Sequence, residues 1–570
     1  MLLRPVPREV PRRPFPTAAT NLPLAVAAAL TAILAARTFW YLFHSVTNVP
    51  YPDQWVMLDE IWAARGGHRG WSYLWSPYWG QRPLFPRLLI LFSVKYLHYT
   101  MLPFVVANVA AQLSTLSAMV WSVRRLFPGR GPLFWLSAVA AVHLLLSSLQ
   151  MEVFVEGIEI VYTVGYGAAL AAIVVLGAAI DPRFKFRTRF WIAVLLGVLS
   201  TGFVAIGLAV WPLLMLEAWL ARAPRKYLVF LGALTALLVL AYAIGYNRIP
   251  EMGMGVGGVV RHPLQAFCVI AFVLGGPISL YSPWLGVMAG AIGMAMALGA
   301  AILSVRTRSR QPAASALVLV VFFLLGSAVS IAAGRITPGA LAGHTGQPVS
   351  RYMSPVFMFW AALFPVSLFC WNYGRIARLT ALAVAATILV LTFGTWNWQW
   401  MLPRAWASVS QSYDAIASGF LVDVRDRESM SRIIPDQEYL ARMVDYMRQQ
   451  DLSVFAEARA HWPGRNIDSI APIAQGANCR ATIDPVSLGG NPPAFRVTGT
   501  LTLDGRSPRG VLDILITDDA GMVQGLARTL PAESESLAAV KFFGYARGAS
   551  PRNLRLFALV RNRPMACLGQ

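Results

Sequence analysis

The first residue that could do chemistry is an acid in the stretch NVPYPDQW, which runs from Asn48 to Trp55. Asp53 directly follows a proline, so its backbone is held in a stiff turn and not in a mobile linker. A carboxylate fixed there could act as a general base toward a sugar or lipid hydroxyl, while Tyr51 and Trp55 offer apolar faces on which sugar rings or isoprenoid chains can rest. The same residues also suit an interfacial aromatic belt, with Asp53 capping the helix that follows.

Several arginines in predicted outer loops are candidates for binding a phosphate, because a guanidinium group can hold phosphate oxygens bidentately. Arg335 and Arg351 come first, since they border one Gly-rich loop that also holds His344. Arg82 and Arg87 come second. For these two the alternative is that they snorkel to the lipid headgroups, as arginines near a membrane surface commonly do.

A second acidic group lies further along the chain, at Glu152, Glu156 and Glu159. The spacing i, i+4, i+7 would place the three carboxylates on one helix face. Together they could hold a divalent cation beside a sugar phosphate, or they could form a solvated face without any ion. The sequence contains no P-loop, GxSxG or HExxH pattern.

The composition indicates what kind of structural elements position these residues. Hydrophobic residues make up 56% of the 570-residue chain and charged residues only 13%, whereas soluble domains carry about 25% charged residues. The net charge is +21, and the basic excess lies within residues 1–402, which have 29 Lys and Arg against 10 Asp and Glu. Basic residues in an apolar chain indicate membrane orientation and not nucleic-acid binding. The sequence therefore predicts a multi-pass membrane protein.

Apolar runs and short basic loops predict how the chain crosses the bilayer. Runs of spanning length lie near 22–43, 101–122, 132–149, 160–180, 227–246, 315–333, 353–373 and 379–400. The stretch 190–220 must cross twice as a tight hairpin. The stretch 264–303 must make an odd number of crossings, which one span plus a re-entrant or interfacial piece broken near Gly275 fits. These assignments give about eleven spans. Because basic loops stay inside, the N-terminus is predicted to be cytoplasmic and the C-terminus exoplasmic.

Beyond the predicted membrane domain (1–402), the sequence resembles that of a soluble protein. Residues 403–470 predict a helical linker, and residues 471–570 predict a small exoplasmic β-sandwich with strands near 494–503, 511–517, 522–530, 539–547 and 553–560. Cys479 and Cys567 bracket this domain. In an oxidising compartment the pair would form a disulfide that stabilises the fold by roughly 4–5 kcal/mol; the alternative is two free thiols.

The whole membrane part resembles the GT-C superfamily of polyprenyl-phosphate-sugar-dependent membrane glycosyltransferases. The resemblance lies in a long first outer loop with an early acid, and in the stretch QRPLFPR from Gln81 to Arg87, which is similar to an HR-x-x-FPR pattern of uncharacterised bacterial relatives. Gln81 stands where that pattern has His. The block SRY at Ser350–Tyr352 also resembles these proteins. The likeness covers residues 20–400.

This resemblance implies an all-α, GT-C-like membrane domain in a bacterial inner membrane, with inverting sugar transfer on the outer face. Asp53 would be the catalytic base, and the phosphate of the polyprenyl-phosphate sugar donor would bind Arg335 and Arg351, with Arg82, His344, Tyr352, Tyr51 and Trp55 as further substrate-binding residues. The acceptor would be an envelope glycan or lipid, with a divalent cation as the one possible cofactor. An envelope polysaccharide polymerase or ligase, and a transporter or flippase of lipid-linked glycans, are the alternatives.

Overall fold

In the computed structural model, the described residues are 21–65, 71–78, 80–129, 131–177, 186–245, 255–307, 312–335, 350–371, 375–473, 479–490, 492–504, 510–530, 539–548, 554–560 and 563–569. The first ten helices are α1 Asn21–His44, α2 Pro52–Arg65, α3 Leu84–Tyr96, α4 Leu102–Leu126, α5 Pro132–Leu145, α6 Met151–Val155, α7 Ile160–Gly177, α8 Phe186–Phe203, α9 Val210–Leu220 and α10 Arg225–Ala243. The rest are α11 Gly255–Arg261, α12 Pro263–Leu274, α13 Gly276–Ser279, α14 Pro283–Thr307, α15 Pro312–Arg335, α16 Met353–Cys370, α17 Arg375–Leu389, α18 Trp396–Leu421, α19 Arg427–Met430 and α20 Gln437–Gln449.

Ten of the helices in the described ranges are long and apolar enough to cross a membrane. They are Leu22–His44, Leu102–Leu126, Pro132–Val155, Gly157–Gly177, Phe186–Phe203, Arg225–Ala243, Pro283–Ile302, Pro312–Gly334, Met353–Cys370 and Ala377–Gly394. The prediction of a multi-pass membrane protein is confirmed at this level. The main apolar core lies where α7, α15 and α16 meet, since most of the side chains of these three helices are buried there.

The stretches 190–220 and 264–303 each pair one long apolar helix with a shorter one. In the first, α8 turns back through the shorter apolar helix Ala205–Leu220, which would be the eleventh crossing of the predicted count. In the second, the candidate span Pro283–Ile302 within α14 packs against the shorter helix α12, which ends before Gly275. Close approach requires glycine here, because a Cβ on Gly275 would lie 1.8 Å from the Gly286 carbonyl oxygen and one on Gly290 would lie 1.9 Å from that of Ala271.

A single long helix, α18, joins the membrane bundle to the C-terminal domain. It runs through Pro403, so the predicted domain boundary between residues 402 and 403 falls inside one continuous element. Proline removes the hydrogen bond to the carbonyl four residues earlier, and the Gln399 carbonyl instead accepts a 2.7 Å bond from Ser148 Oγ. The far end of α18 packs against β4 and β5 of the C-terminal domain.

The C-terminal domain is a closed barrel and not the predicted two-sheet sandwich. Its seven strands are β1 Cys479–Gly489, β2 Ala494–Leu503, β3 Asp513–Thr517, β4 Val523–Thr529, β5 Val540–Arg547, β6 Arg555–Val560 and β7 Arg563–Gly569, in the order β1-β2-β5-β4-β3-β6-β7. The difference arises from β1 and β7, which pair in parallel over residues 479–481 and so join the two ends of the sheet. Cys479 and Cys567 are directly opposite in that pair and form a disulfide, with Cα atoms 4.4 Å apart.

Candidate active site

Asp53 lies in the first turn of α2, directly after the loop that leaves the first span. Pro52 is the first helical residue, a position that suits its fixed φ and missing N–H. The side chain of Gln54 accepts a 3.1 Å hydrogen bond from the Tyr51 backbone N–H, which is one half of a capping box. Gln54 therefore supplies the cap that the sequence suggested for Asp53, and the Asp53 carboxylate is left to face other parts of the chain.

The three glutamates flank a break between two spans and do not share one helix face. The helix α6 ends at Val155, and Glu156 has an extended backbone, with φ −80° and ψ 115°. The chain then returns through a 3₁₀ turn into α7. This break turns the carboxylates toward each other, so that one oxygen from each lies within 4.8 Å of the others. All three residues are buried, which differs from the solvated face considered from the sequence.

Two contacts fix this break against its neighbours. Asn108, on α4, donates a 3.2 Å hydrogen bond to the Glu156 carbonyl and accepts a 2.8 Å bond from the Thr163 hydroxyl. Gly157 allows close approach, since a Cβ at this position would lie 2.7 Å from both the Gln54 side chain and Phe104. The acidic turn is thereby pressed directly against the start of α2, where Asp53 lies.

Arg351 joins the two acidic groups. Its Nη1 donates a 3.0 Å hydrogen bond to Asp53 Oδ2, and the guanidinium also pairs with Glu152 at 3.3 Å and with Glu159 at 3.5 Å. Its side chain keeps 32% of its surface exposed, so a ligand can reach the guanidinium group from the protein surface. Residues far apart in the sequence thus form one site at the ends of several spans.

Negative charge exceeds positive charge at this site. Four carboxyl groups, on Asp53, Glu152, Glu156 and Glu159, surround the Arg351 guanidinium. Burial, reinforced by the nearby Glu152 carboxylate, raises the pKa of Glu156 from 4.5 to about 8, because both effects disfavour a second negative charge. The site therefore holds a proton at neutral pH that a cation could replace.

The chemistry of the three glutamates suits a divalent cation. Their donors are carboxylate oxygens, which are the ligands that Mg²⁺ and Ca²⁺ prefer, and their oxygens are close enough together to reach one ion. One oxygen of Glu159 is buried without a hydrogen-bond partner. The chemistry of these residues thus fits the cation that the sequence suggested.

The other two candidate arginines, Arg82 and Arg87, are buried and bind other parts of the protein. Arg82 Nε donates a 3.2 Å bond to the Tyr242 carbonyl, and its two other nitrogens donate to the carbonyls of Trp75 and Ile244. It therefore caps the C-terminal end of α10, where a cation also favours the helix dipole. In this structure its donors are directed to the backbone and not to an open binding site.

Arg87 forms a buried bidentate ion pair with Glu60, at 2.8 and 2.9 Å. Its Nη1 also donates to the Ser76 carbonyl at 2.6 Å. The side chain is 1% exposed, so the suggestion that Arg87 snorkels to the headgroups is wrong. The pair joins α2 to α3.

The predicted aromatic platforms pack into the protein. Tyr51 is 4% exposed and its hydroxyl lies 2.6 Å from Ser410 Oγ of α18. Trp55 is fully buried, and its indole N–H donates to the Pro50 carbonyl at 2.7 Å. These rings therefore do not offer the open faces expected from the sequence. Tyr352 is partly exposed beside Arg351 and makes an edge contact with Tyr162.

Two further predicted residues cannot be placed at the site. His344 lies outside the described residues, as does the side chain of Arg335, the last residue of α15. Asn108 and Thr163 are contributors that the sequence analysis missed. A signal for Asn108 exists, because Asn108, Gln112 and Thr115 follow at i, i+4 and i+7 in a span of high hydropathy, and polar groups inside a membrane need partners.

Comparison with known proteins gives no relative from which a role could be transferred to this site. No protein-family model, curated protein or solved structure matches the chain.

Proposed function

We propose that this protein is an integral membrane glycosyltransferase that moves a sugar from a polyprenyl-phosphate donor to a glycan or lipid acceptor. The observation that supports it best is the 3.0 Å contact between Asp53 and Arg351, which are 298 residues apart. Asp53 is a carboxylate that can accept a proton, and Arg351 is a partly exposed guanidinium that can bind phosphate. The two lie side by side, where the ends of several spans meet. A GT-C-like enzyme requires both groups.

In the proposed reaction Asp53 takes the proton from the acceptor hydroxyl as that oxygen attacks the anomeric carbon. The bond between the anomeric carbon and the phosphate oxygen breaks, and the anomeric configuration inverts. Both electrons of the broken bond stay with the polyprenyl phosphate, whose charge the Arg351 guanidinium stabilises. Arg351 must exchange a carboxylate partner for a phosphate oxygen when the donor binds, and this exchange also frees Asp53 to accept the proton.

The excess of acidic groups affects how an anionic donor binds. A divalent cation held by Glu152, Glu156 and Glu159 would supply positive charge beside the phosphate. Without it, the carboxylates would repel the donor, and Arg351 alone would have to offset that repulsion. Tight donor binding is therefore expected to need the glutamates even though they do not touch the reacting atoms.

We place this site on the outer face of a bacterial inner membrane. The support is the distribution of Lys and Arg, which are concentrated in the short loops at the opposite ends of the spans, including 183–189 and 306–310. The barrel lies on the same side as Asp53, since residues of its linker contact the first outer loop. This arrangement gives the protein a cytoplasmic N-terminus and an exoplasmic barrel.

The test is a transfer assay with a lipid-linked donor and isolated membranes. Asp53→Asn keeps the size of the side chain but removes the base, so it should abolish transfer while expression stays near normal. Arg351→Ala should mainly raise KM for the donor, because it removes charge opposite the phosphate. Asp59→Asn is the matched control, since Asp59 lies on the same helix but pairs with Arg442 at 3.8 Å.

Undiminished transfer by Asp53→Asn would show that Asp53 is not the base. If Asp59→Asn is the inactive variant, the base lies further along α2. If Asp53→Asn, Asp59→Asn and Glu60→Gln all retain full activity, the proposal of a glycosyltransferase with its base in this loop is wrong.

A further inference from the structure

A buried ion network joins the barrel, its linker and the helix α18. Arg459 of the linker and Arg528 of β4 both pair with Asp414 of α18. Arg528 also pairs with Asp513 of β3 at 2.8 Å. The side chains of Arg459 and Asp414 are only 5% and 3% exposed, so the groups are desolvated and depend on each other for neutralisation. The barrel is thereby fixed to the helix that follows the last candidate span.

The same network reaches the loop that carries Asp53. Glu457 pairs with Arg459 through one carboxylate oxygen and accepts a 2.6 Å hydrogen bond from Asn48 Nδ2 through the other. The hydroxyl of Ser453 donates to the Asn48 carbonyl. Asn48 is therefore held from the linker through both its side chain and its backbone, five residues before Asp53.

We infer that the linker residues Glu457 and Arg459 are positioning residues for Asp53, and that the barrel orders the Asn48–Asp53 segment through them. Residues 45–51, between the ends of α1 and α2, have no regular secondary structure, so the position of this part of the segment depends on such external contacts. The barrel is then a structural part of the site and not a tethered module. The role of Asp53 as a base rests on the proposed function. The ordering of the segment by the linker does not depend on that function.

The experiment measures how readily residue 53 reacts. A full-length protein with Asp53→Cys, Cys268→Ala and Cys370→Ala is labelled in detergent with a small water-soluble thiol reagent. Glu457→Ala removes both contacts of that side chain, whereas Glu457→Gln keeps an oxygen that can accept the bond from Asn48. Arg496→Met is the matched control, because Arg496 joins the barrel to the linker through Asp426 and Glu428 without contacting Asn48.

We expect Glu457→Ala and Arg459→Met to increase the labelling rate at residue 53 several-fold, because the segment opens more often once its contacts are lost. Glu457→Gln should raise the rate less than Glu457→Ala, because it keeps the bond from Asn48 but loses the ion pair with Arg459. Arg496→Met should leave the rate near that of the parent. An unchanged rate in Glu457→Ala would overturn the inference, and so would an equal increase in Arg496→Met. If Arg459→Met does not fold, the two Glu457 variants alone decide.

A parallel assay with Asp53 restored separates this inference from the proposed function. Glu457→Ala should lower kcat for transfer while KM for the donor stays unchanged, since Arg351 is untouched. Glu457→Gln should recover part of the loss, because it keeps the bond from Asn48. If labelling responds as expected but no variant, including the parent, transfers sugar, then the proposed function fails and the positioning role stands.

Discussion

Three arginines that look alike in the sequence have different roles, and the difference lies in what surrounds each guanidinium. Arg82 and Arg87 are buried and bind backbone carbonyls or Glu60, whereas Arg351 is partly exposed among carboxylates. The sequence could identify Arg351 as a candidate because it borders a Gly-rich loop. It could not show that Arg351 pairs with Asp53, because no local pattern encodes a contact between residues 298 apart.

Glu156 leads to a prediction about pH. Its pKa is raised to about 8 from an ordinary value of 4.5, so the folded protein retains a proton that the unfolded chain releases as pH rises above 4.5. The contribution of Glu156 to stability is therefore fully present below about pH 4.5 and is lost as pH rises toward 8. Thermal unfolding of the purified protein should show a Tm that declines over this range.

Glu156→Gln mimics the protonated carboxyl group and should make this decline smaller. The comparison of the two Tm profiles isolates Glu156 from other titrating groups, because the remainder of the chain is the same. Parallel profiles for Glu156→Gln and the parent protein would mean that Glu156 is already ionised at neutral pH.

At the scale of elements, the sequence predicted the spans, the hairpin within 190–220 and the extra piece within 264–303, but not the turn between α6 and α7. The prediction of spans uses hydropathy and basic charge averaged over many residues, so one misread residue changes it little. The break at Glu156 depends on Asn108 and Gly157, which contact other helices. A helical spacing of three glutamates therefore suggested one face, although the carboxylates converge through a turn.

The pair between Arg87 and Glu60 gives a prediction at this scale, because it joins α2 to α3. Arg87→Met leaves the Glu60 carboxylate buried and unpaired, which should lower the free energy of unfolding by about 3–5 kcal/mol. The double variant Arg87→Met with Glu60→Leu removes both charges and should recover much of the loss. Chemical denaturation in detergent measures both; a double variant no more stable than the single one would contradict the assigned pairing.

At the scale of the whole molecule, the sequence indicated a strand-rich domain but not how it closes. The five strands predicted correspond to β2–β6, each bounded by turn signals. The strands β1 and β7 complete the barrel through a parallel pair between the two ends of the domain, and such long-range pairing leaves no local signature. The Cys479–Cys567 disulfide lies in this pair, so it fixes the closure of the barrel.

The orientation of the molecule gives the last prediction, on which the placement of the chemistry depends. In the parent protein Cys268 and Cys370 are the free cysteines among the described residues, and both are replaced by Ala. Single cysteines are then introduced at Ser487, which is exposed on β1, and at Thr188, which is exposed at the start of α8. A membrane-impermeant thiol reagent applied to intact spheroplasts should label the first and not the second. Basic loops remain inside the cell, so Thr188→Cys should react only after permeabilisation. The reverse pattern would place Asp53, Arg351 and the barrel in the cytoplasm, where the proposed outer-face reaction could not take place.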